Sequence, residues 1–511
     1  MESIKRRDLV KGAAVAAATT MGVASVAHAD GAERAWDKEC DVLVVGASSG
    51  GVFAAAKAAE DGASVILVEA SSYLGGTTLL SGGALHIFGA KTPEEHIARM
   101  PMCDKAMDTV LVNTFNEELM PFILESGAPC SDRYVLTPSA AAILGVEYWD
   151  AISYAPNPSG GVAFYDYLGE YIEDNDGEVL RNTRGTEIIL DAEGNVAGVR
   201  AIGPDGAVDI RTKAVVLATG GFAADPELLN RYCGQWADMS QHRTFPFNDG
   251  TGLKMGLAAG ASLSRGMGAF YGHTLFYPHV APQSVEEFES MGLIDSISTM
   301  SLSQVICPRG VVLNTFGERF ADESLGDEIL NQLLPAQPLG RAVVVCDSAM
   351  LQMYIQDVYS NEKYAGLVGE DLLNAMGVEF KKADTIDELA AQLSAWNVSP
   401  NVARTVNEYN AAIDAGTQAS LRVPRSKDPS KICEAPFYAM QVVAGISHTY
   451  GGLKINEKAE VLGPCDVPIP GLYADGGVGG GVYYYNYGGS VALGATFGYI
   501  AGKSAAEYVL A

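Results

Sequence analysis

The chain has 511 residues, 48% of them apolar, enough for a large buried core and two domains. Its formal net charge of −28 argues against binding to nucleic acid or anionic lipid, and suits either plain solubility or a cationic protein partner. The eight cysteines lie far apart without CxxC or CxxCH spacing, which argues against zinc, iron–sulfur clusters and covalent c-type haem; isolated buried thiols are the expectation, although the even count permits disulfides.

The segment Lys5-Arg6-Arg7-Asp8-Leu9-Val10-Lys11 is basic with paired arginines. An apolar stretch over residues 12–26 follows, and then the small-x-small site Ala27-His28-Ala29. Together these predict a twin-arginine export signal over 1–29 that carries an already folded protein to the periplasm or the extracytoplasmic cell surface. Nothing in the chain has the ~20 apolar residues of a stable membrane span.

Residues 40–45 (CDVLVV) have the look of a buried parallel strand. Gly46-Ala47-Ser48-Ser49-Gly50-Gly51 and an Ala-rich helix follow, then a second apolar strand ending at Glu69. This is a dinucleotide-binding βαβ unit with Ser48 in place of the middle glycine of GxGxxG. Gly46 permits the tight turn, the helix start from Ser49 and Gly50 presents N–H groups to a pyrophosphate, and Gly51 allows close packing. Glu69, followed by Ala70, can accept both ribose hydroxyl hydrogens.

Two Gly-Gly pairs frame three hydroxyls in Gly75-Gly76-Thr77-Thr78-Leu79-Leu80-Ser81-Gly82-Gly83. Here the sequence resembles the flavoprotein family of fumarate reductases, succinate dehydrogenases and 3-ketosteroid dehydrogenases, and the likeness runs through the rest of the chain. It continues in a hairpin over 193–199, a strand ending Ala218-Thr219-Gly220, Asn248-Asp249-Gly250 before a helix, and 468–477 (PIPGLYADGG). The resemblance implies non-covalent FAD held by Gly46, Ser49, Gly50, Gly51, Glu69, Ala70, Gly76, Thr77, Thr78, Ser81, Gly82, Gly83, Gly185, Ala218, Thr219, Gly220, Asp249, His448, Gly476, Gly477, Ser490 and Val491. It places the start of the helix at Ser490 and Val491 beside the flavin. Gly477 stands where the family has an acid on the ribityl chain, and Asp475 is a nearby substitute. The implied fold is α/β: a Rossmann-like FAD-binding domain from 30–275 plus 436–511, with an α+β capping domain inserted over 276–435.

On the substrate side the family's fumarate reductases use arginines as proton donor and carboxylate clamp. At those positions this chain has Asp327 and the run Tyr484-Tyr485-Asn486-Tyr487-Gly488, and no arginine follows Arg425. Tyr484, Gly488 and Thr496-Phe497-Gly498-Tyr499 instead resemble the ketosteroid dehydrogenase pattern, in which a Tyr hydroxyl and a Gly N–H polarise a carbonyl. The candidate catalytic residues are therefore Tyr484, Tyr487, Gly488, His273 and Asp327. These imply reduction of an activated C=C bond in an apolar or aromatic substrate, with electrons from a separate cytochrome or membrane-anchored redox protein. Desaturation of a ring ketone and a catalytically silent FAD-binding protein are the alternatives.

Overall fold

The computed structural model describes residues 34–81, 83–88, 91–131, 134–135, 149–154, 159–278, 302–352 and 366–511. The expected export signal and Gly82 lie outside them. Strand β1 (Lys38–Val45) is a continuous apolar run because helices and loops cover both its faces; Val42, Leu43, Val44 and Val45 are all buried. The chain turns at Gly46 into helix α1 (Ser49–Glu60) and returns as β2 (Val65–Val68), parallel to β1 with Val42 opposite Val65. Beyond β2 lies β3 (Glu178–Leu180). An antiparallel hairpin, β4 (Arg184–Leu190) and β5 (Val196–Gly203), leads into β6 (Gly206–Leu217), whose second half runs parallel to β1.

Two short strands, β7 (Phe270–Tyr271) and β8 (Thr274–Phe276), lead out of this domain. The second sheet is built from β9 (Val311–Asn314), β10 (Arg341–Asp347), β11 (Phe380–Ala383) and the ten-residue β12 (Phe437–Ile446), which is buried throughout. Helix α2 (Asp327–Leu333) lies against it. After β13 (His448–Thr449), which pairs with β7, the chain re-enters the first sheet through β14 (Glu460–Leu462) and β15 (Pro468–Ala474), and ends in helix α3 (Ser490–Leu510). The first sheet runs β14-β15-β6-β1-β2-β3, so strands from both ends of the chain form one nucleotide-binding sheet.

Strand β12 pairs with β8, β10, β11 and the short strand Gln241–His242. The second sheet therefore takes strands from both sides of the expected limits at 276 and 435. Among the described residues, the segments that connect the two sheets are themselves strands of the cap.

Helix α3 packs along α1 through small residues spaced four apart. A Cβ built on Gly498 would lie 2.0 Å from Gly50 O, and one on Gly502 would lie 2.2 Å from Ala54 O. At that separation the backbones touch. The Ser49 hydroxyl donates to Val491 O at 3.4 Å, tying the two helix starts together.

Candidate active site

The carboxyl ends of β1, β2, β6 and β15 meet at one edge of the sheet, where open α/β sheets bind ligands. Gly46 leaves β1 at φ +97°, a conformation open to glycine, and a Cβ there would lie 2.6 Å from Ala218 O. Ser48 sits at the cap of α1 without a side-chain capping bond, and its hydroxyl donates to Ala218 O at 3.2 Å. The first-turn amides of α1 are thus left for an anion. Glu69 is buried and holds the turn from the other side: Oε2 accepts from Ala47 N–H at 2.8 Å and Oε1 from Ser71 N–H at 2.7 Å. Burial raises its pKa, against the lowering pull of those N–H donors. Its remaining lone pairs suit a ribose.

The opposite wall is the segment that begins at Gly75, whose N–H donates to Ala47 O at 2.7 Å. Thr78 turns its hydroxyl back on Gly75 O, and Gly76 stacks loosely on Ser48. Ser81 bonds the Tyr154 hydroxyl at 3.0 Å and accepts from Gly83 N–H at 3.2 Å. The Thr77 and Thr244 hydroxyls lie 2.8 Å apart, and Thr244 accepts from Asn248 Nδ2 at 2.8 Å. Asn248 Oδ1 is buried, has no hydrogen-bond partner among the described residues, and faces Gly220, where a Cβ would lie 2.8 Å away. Thr219 accepts from Gly252 N–H at 3.0 Å. Asp249 is tied to Arg184 at 2.5 Å and to the Thr251 hydroxyl at 2.6 Å; burial would raise its pKa, but these partners outweigh it and the pKa is lowered. Gly185 packs on Val45.

At Gly477 no side chain enters the cleft. Asp475 does: it is 1% exposed, accepts from Gly477 N–H at 2.9 Å and Val478 N–H at 3.1 Å, and lies so close to Gly50 that a Cβ there would sit 1.8 Å from Oδ2. Burial pushes its pKa up to about 6.

Across the mouth of this cleft, β7 and β13 pair with Tyr271 opposite His448. The Tyr271 ring stacks on Tyr487 at 3.8 Å with 15° between planes, and lies 5.2 Å from the His448 ring. The Tyr487 hydroxyl is 3.3 Å from Ser490 Oγ, the first residue of α3. Burial holds His448 near pKa 3, and its Nε2 has no hydrogen-bond partner among the described residues.

The Tyr271 hydroxyl is 2.8 Å from His273 Nε2, and His273 Nδ1 is 2.8 Å from Asp327 Oδ2. The other oxygen of Asp327 accepts from the Thr274 N–H at 3.1 Å and from its hydroxyl. Asp327 thereby accepts a hydrogen bond from the Nδ1–H group, and Nε2 accepts one from the Tyr271 hydroxyl. Burial lowers the His273 pKa, Asp327 opposes that shift, and the positive charge of Arg243 adds to it. The next residue, Glu328, accepts from Tyr487 N–H; burial, with the charge of Asp327, pushes it up to about 8.

Of the expected catalytic residues, the structure brings His273, Asp327 and Tyr487 together. Gly488 sits against buried His96, whose Nδ1 is held by Asp108 at 2.8 Å. Tyr484 packs on Gly266 and donates to Gly481 O at 3.1 Å. Tyr271, Glu328, Thr244 and Asn248 were not among the candidates. The signal for Tyr271 was its position two before His273, on the same face of an extended segment.

The family model described as "FAD binding domain" matches residues 41–493. The chain belongs to this FAD-binding family of flavoproteins. Among its relatives, the NADH:acrylate oxidoreductase of Vibrio harveyi is 31% identical over 70% of this chain, which spans only 33% of that protein's length. The vinyl phenol reductase of Lactiplantibacillus plantarum (strain ATCC BAA-793 / NCIMB 8826 / WCFS1) is 26% identical over 92% of this chain and 96% of its own. A flavocytochrome c3 fumarate reductase in its open conformation has the same fold: TM-score 0.64, 23% identity, 100% of this chain and 82% of that one. The FAD-binding family assignment makes the protein an FAD-dependent oxidoreductase. The cleft fits that cofactor: α1 amides for the diphosphate, Glu69 for a ribose, Asp475 at the turn, and Asn248 Oδ1 for a donor. Among the described residues no helix is long and apolar enough to cross a membrane.

Proposed function

We propose that this flavoprotein reduces an activated C=C bond in a flat, apolar or aromatic enone or enoate, using electrons from a separate redox protein. The observation that carries the reading is the stacked Tyr271–Tyr487 pair beside His448 and His273. Asp327, at the expected arginine position, is committed to His273 and Thr274. An aromatic wall binds a conjugated, planar molecule by stacking. The relatives named for acrylate and vinyl phenol support the reaction type, since both compounds carry a C=C bond.

When bound, reduced FAD supplies the hydride. The chain's own residues orient the alkene against the Tyr pair, exclude water and provide the proton. Arg6-Arg7 with the Ala27-His28-Ala29 site favours twin-arginine export to the periplasm or cell surface. The reverse reaction, desaturation of a saturated ketone, is favoured by one observation: His273 is disposed as a proton acceptor toward Tyr271.

Anaerobic mixing decides between them. Dithionite-reduced protein is re-oxidised by enones if it is a reductase; oxidised protein is bleached by saturated ketones if it is a desaturase. Absence of both reactions across a panel of each class refutes both directions.

A further inference from the structure

We propose that Tyr271 is the catalytic proton donor to the reduced alkene, and that His273, positioned by Asp327, returns the proton to it. This assignment rests on the C=C reductase reading above. Three features of the geometry carry it. The Tyr271 ring lies in the aromatic wall between Tyr487 and His448, at the end of the cleft marked by Ser490. Its hydroxyl belongs to a hydrogen-bonded line, 2.8 Å to His273 Nε2 and 2.8 Å from Nδ1 to Asp327 Oδ2. The line is rigid: Thr274 fixes Asp327 through its N–H and hydroxyl, and β8, which carries Thr274, pairs with β12.

The step balances as follows. The hydride that FAD would supply when bound would form one new C–H bond and leave an electron pair on the second alkene carbon or its conjugated oxygen. The O–H bond of Tyr271 breaks as that position takes the proton. The phenolate then receives the Nε2 proton of the His273 imidazolium, whose Nδ1–H stays on Asp327. Solvent recharges His273 for the next cycle. The arrangement in the structure, with Nε2 accepting from Tyr271, is the discharged state.

The relay therefore ties rate to pH. The donor-ready state needs His273 protonated, and the groups that bear on it are Asp327, Arg243, Tyr271 and the neighbouring Glu328. Re-oxidation should be fast below the lowered His273 pKa and fall as pH rises through it.

The test uses the full-length holoenzyme with the best enone or enoate from the panel above. Tyr271→Phe should keep FAD content and substrate-induced perturbation of the oxidised flavin spectrum, yet slow re-oxidation at least ~10²-fold. His273→Asn should flatten the pH profile, while Asp327→Glu should restore part of the rate lost in Asp327→Asn. A wild-type protein that turns over while Tyr271→Phe does so at the same rate overturns this assignment alone. A wild-type holoenzyme that reduces no member of the panel overturns the C=C reading and this assignment with it. A Tyr271→Phe defect confined to substrate affinity also overturns it, because a stacking role moves binding and a donor role moves the chemical step.

Discussion

Replacing Asp475 by Asn should stabilise the flavin-free protein, and more at neutral pH than in acid. Asp475 is 1% exposed and receives two backbone N–H bonds, yet burial still raises its pKa to about 6. In the unfolded chain an aspartate titrates near ~3.9. Below ~4 the carboxyl is protonated in both states and costs nothing. As pH rises from ~4 to 6 the unfolded chain ionises first, so stability falls through that window and stays reduced above it. The shift of about two pH units corresponds to about 3 kcal/mol. Asn keeps an oxygen for the Gly477 and Val478 N–H groups and carries no charge. Urea unfolding midpoints of apoprotein at pH 4.5 and 7.5 measure the difference. The variant should gain up to about 3 kcal/mol at pH 7.5 and little at 4.5. A difference between the two proteins that does not change with pH refutes the reasoning.

Gly498→Val should lower both FAD retention and thermal stability, because its Cβ would meet Gly50 O, a backbone atom that cannot step aside; flavin absorbance after gel filtration reads this out. Glu69→Ala frees the Ala47 and Ser71 N–H groups and should weaken FAD binding by ~1.5–3 kcal/mol, measured by titrating apoprotein with FAD. Glu323→Gln should destabilise by ~3–5 kcal/mol in denaturant unfolding. It removes the charge that faces buried Arg319 at 2.9 Å and buried Arg425 at 3.6 Å. Arg6→Lys with Arg7→Lys should hold the full-length protein in the cytoplasm with FAD content unchanged, as cell fractionation would report.

Much of the nucleotide half was legible because its rules are local. The apolar run of β1, the turn at Gly46 and the acid at Glu69 are read from adjacent residues, and each does in the structure what its neighbours dictate. The helix contact through Gly494, Gly498 and Gly502 was not read, since its partner lies in a helix near the other end of the chain. The substrate side draws on residues 271–273, 327–328 and 487, which only the sheet joins. The resemblance in spacing to Gly488 favoured Tyr484, but the structure packs Tyr484 on Gly266, turns the chain at Tyr485 with φ +74°, and brings the ring of Tyr487 onto Tyr271. Asp327 was noticed for the arginine it replaces; its commitment to His273 needed the fold.

The bond from Ser49 to Val491 joins residues 442 positions apart, and the helices behind it touch backbone to backbone. On a ribosome, α1 emerges and then waits for α3 through roughly 20–90 s of synthesis. During that time the α1 surface that later meets Gly498 and Gly502 is bare, and the cleft lacks Asp475 and the start of α3. Cofactor loading is therefore a late event in the life of this chain. A cell that makes it must keep a half-built nucleotide domain from sticking to its neighbours until the last helix arrives.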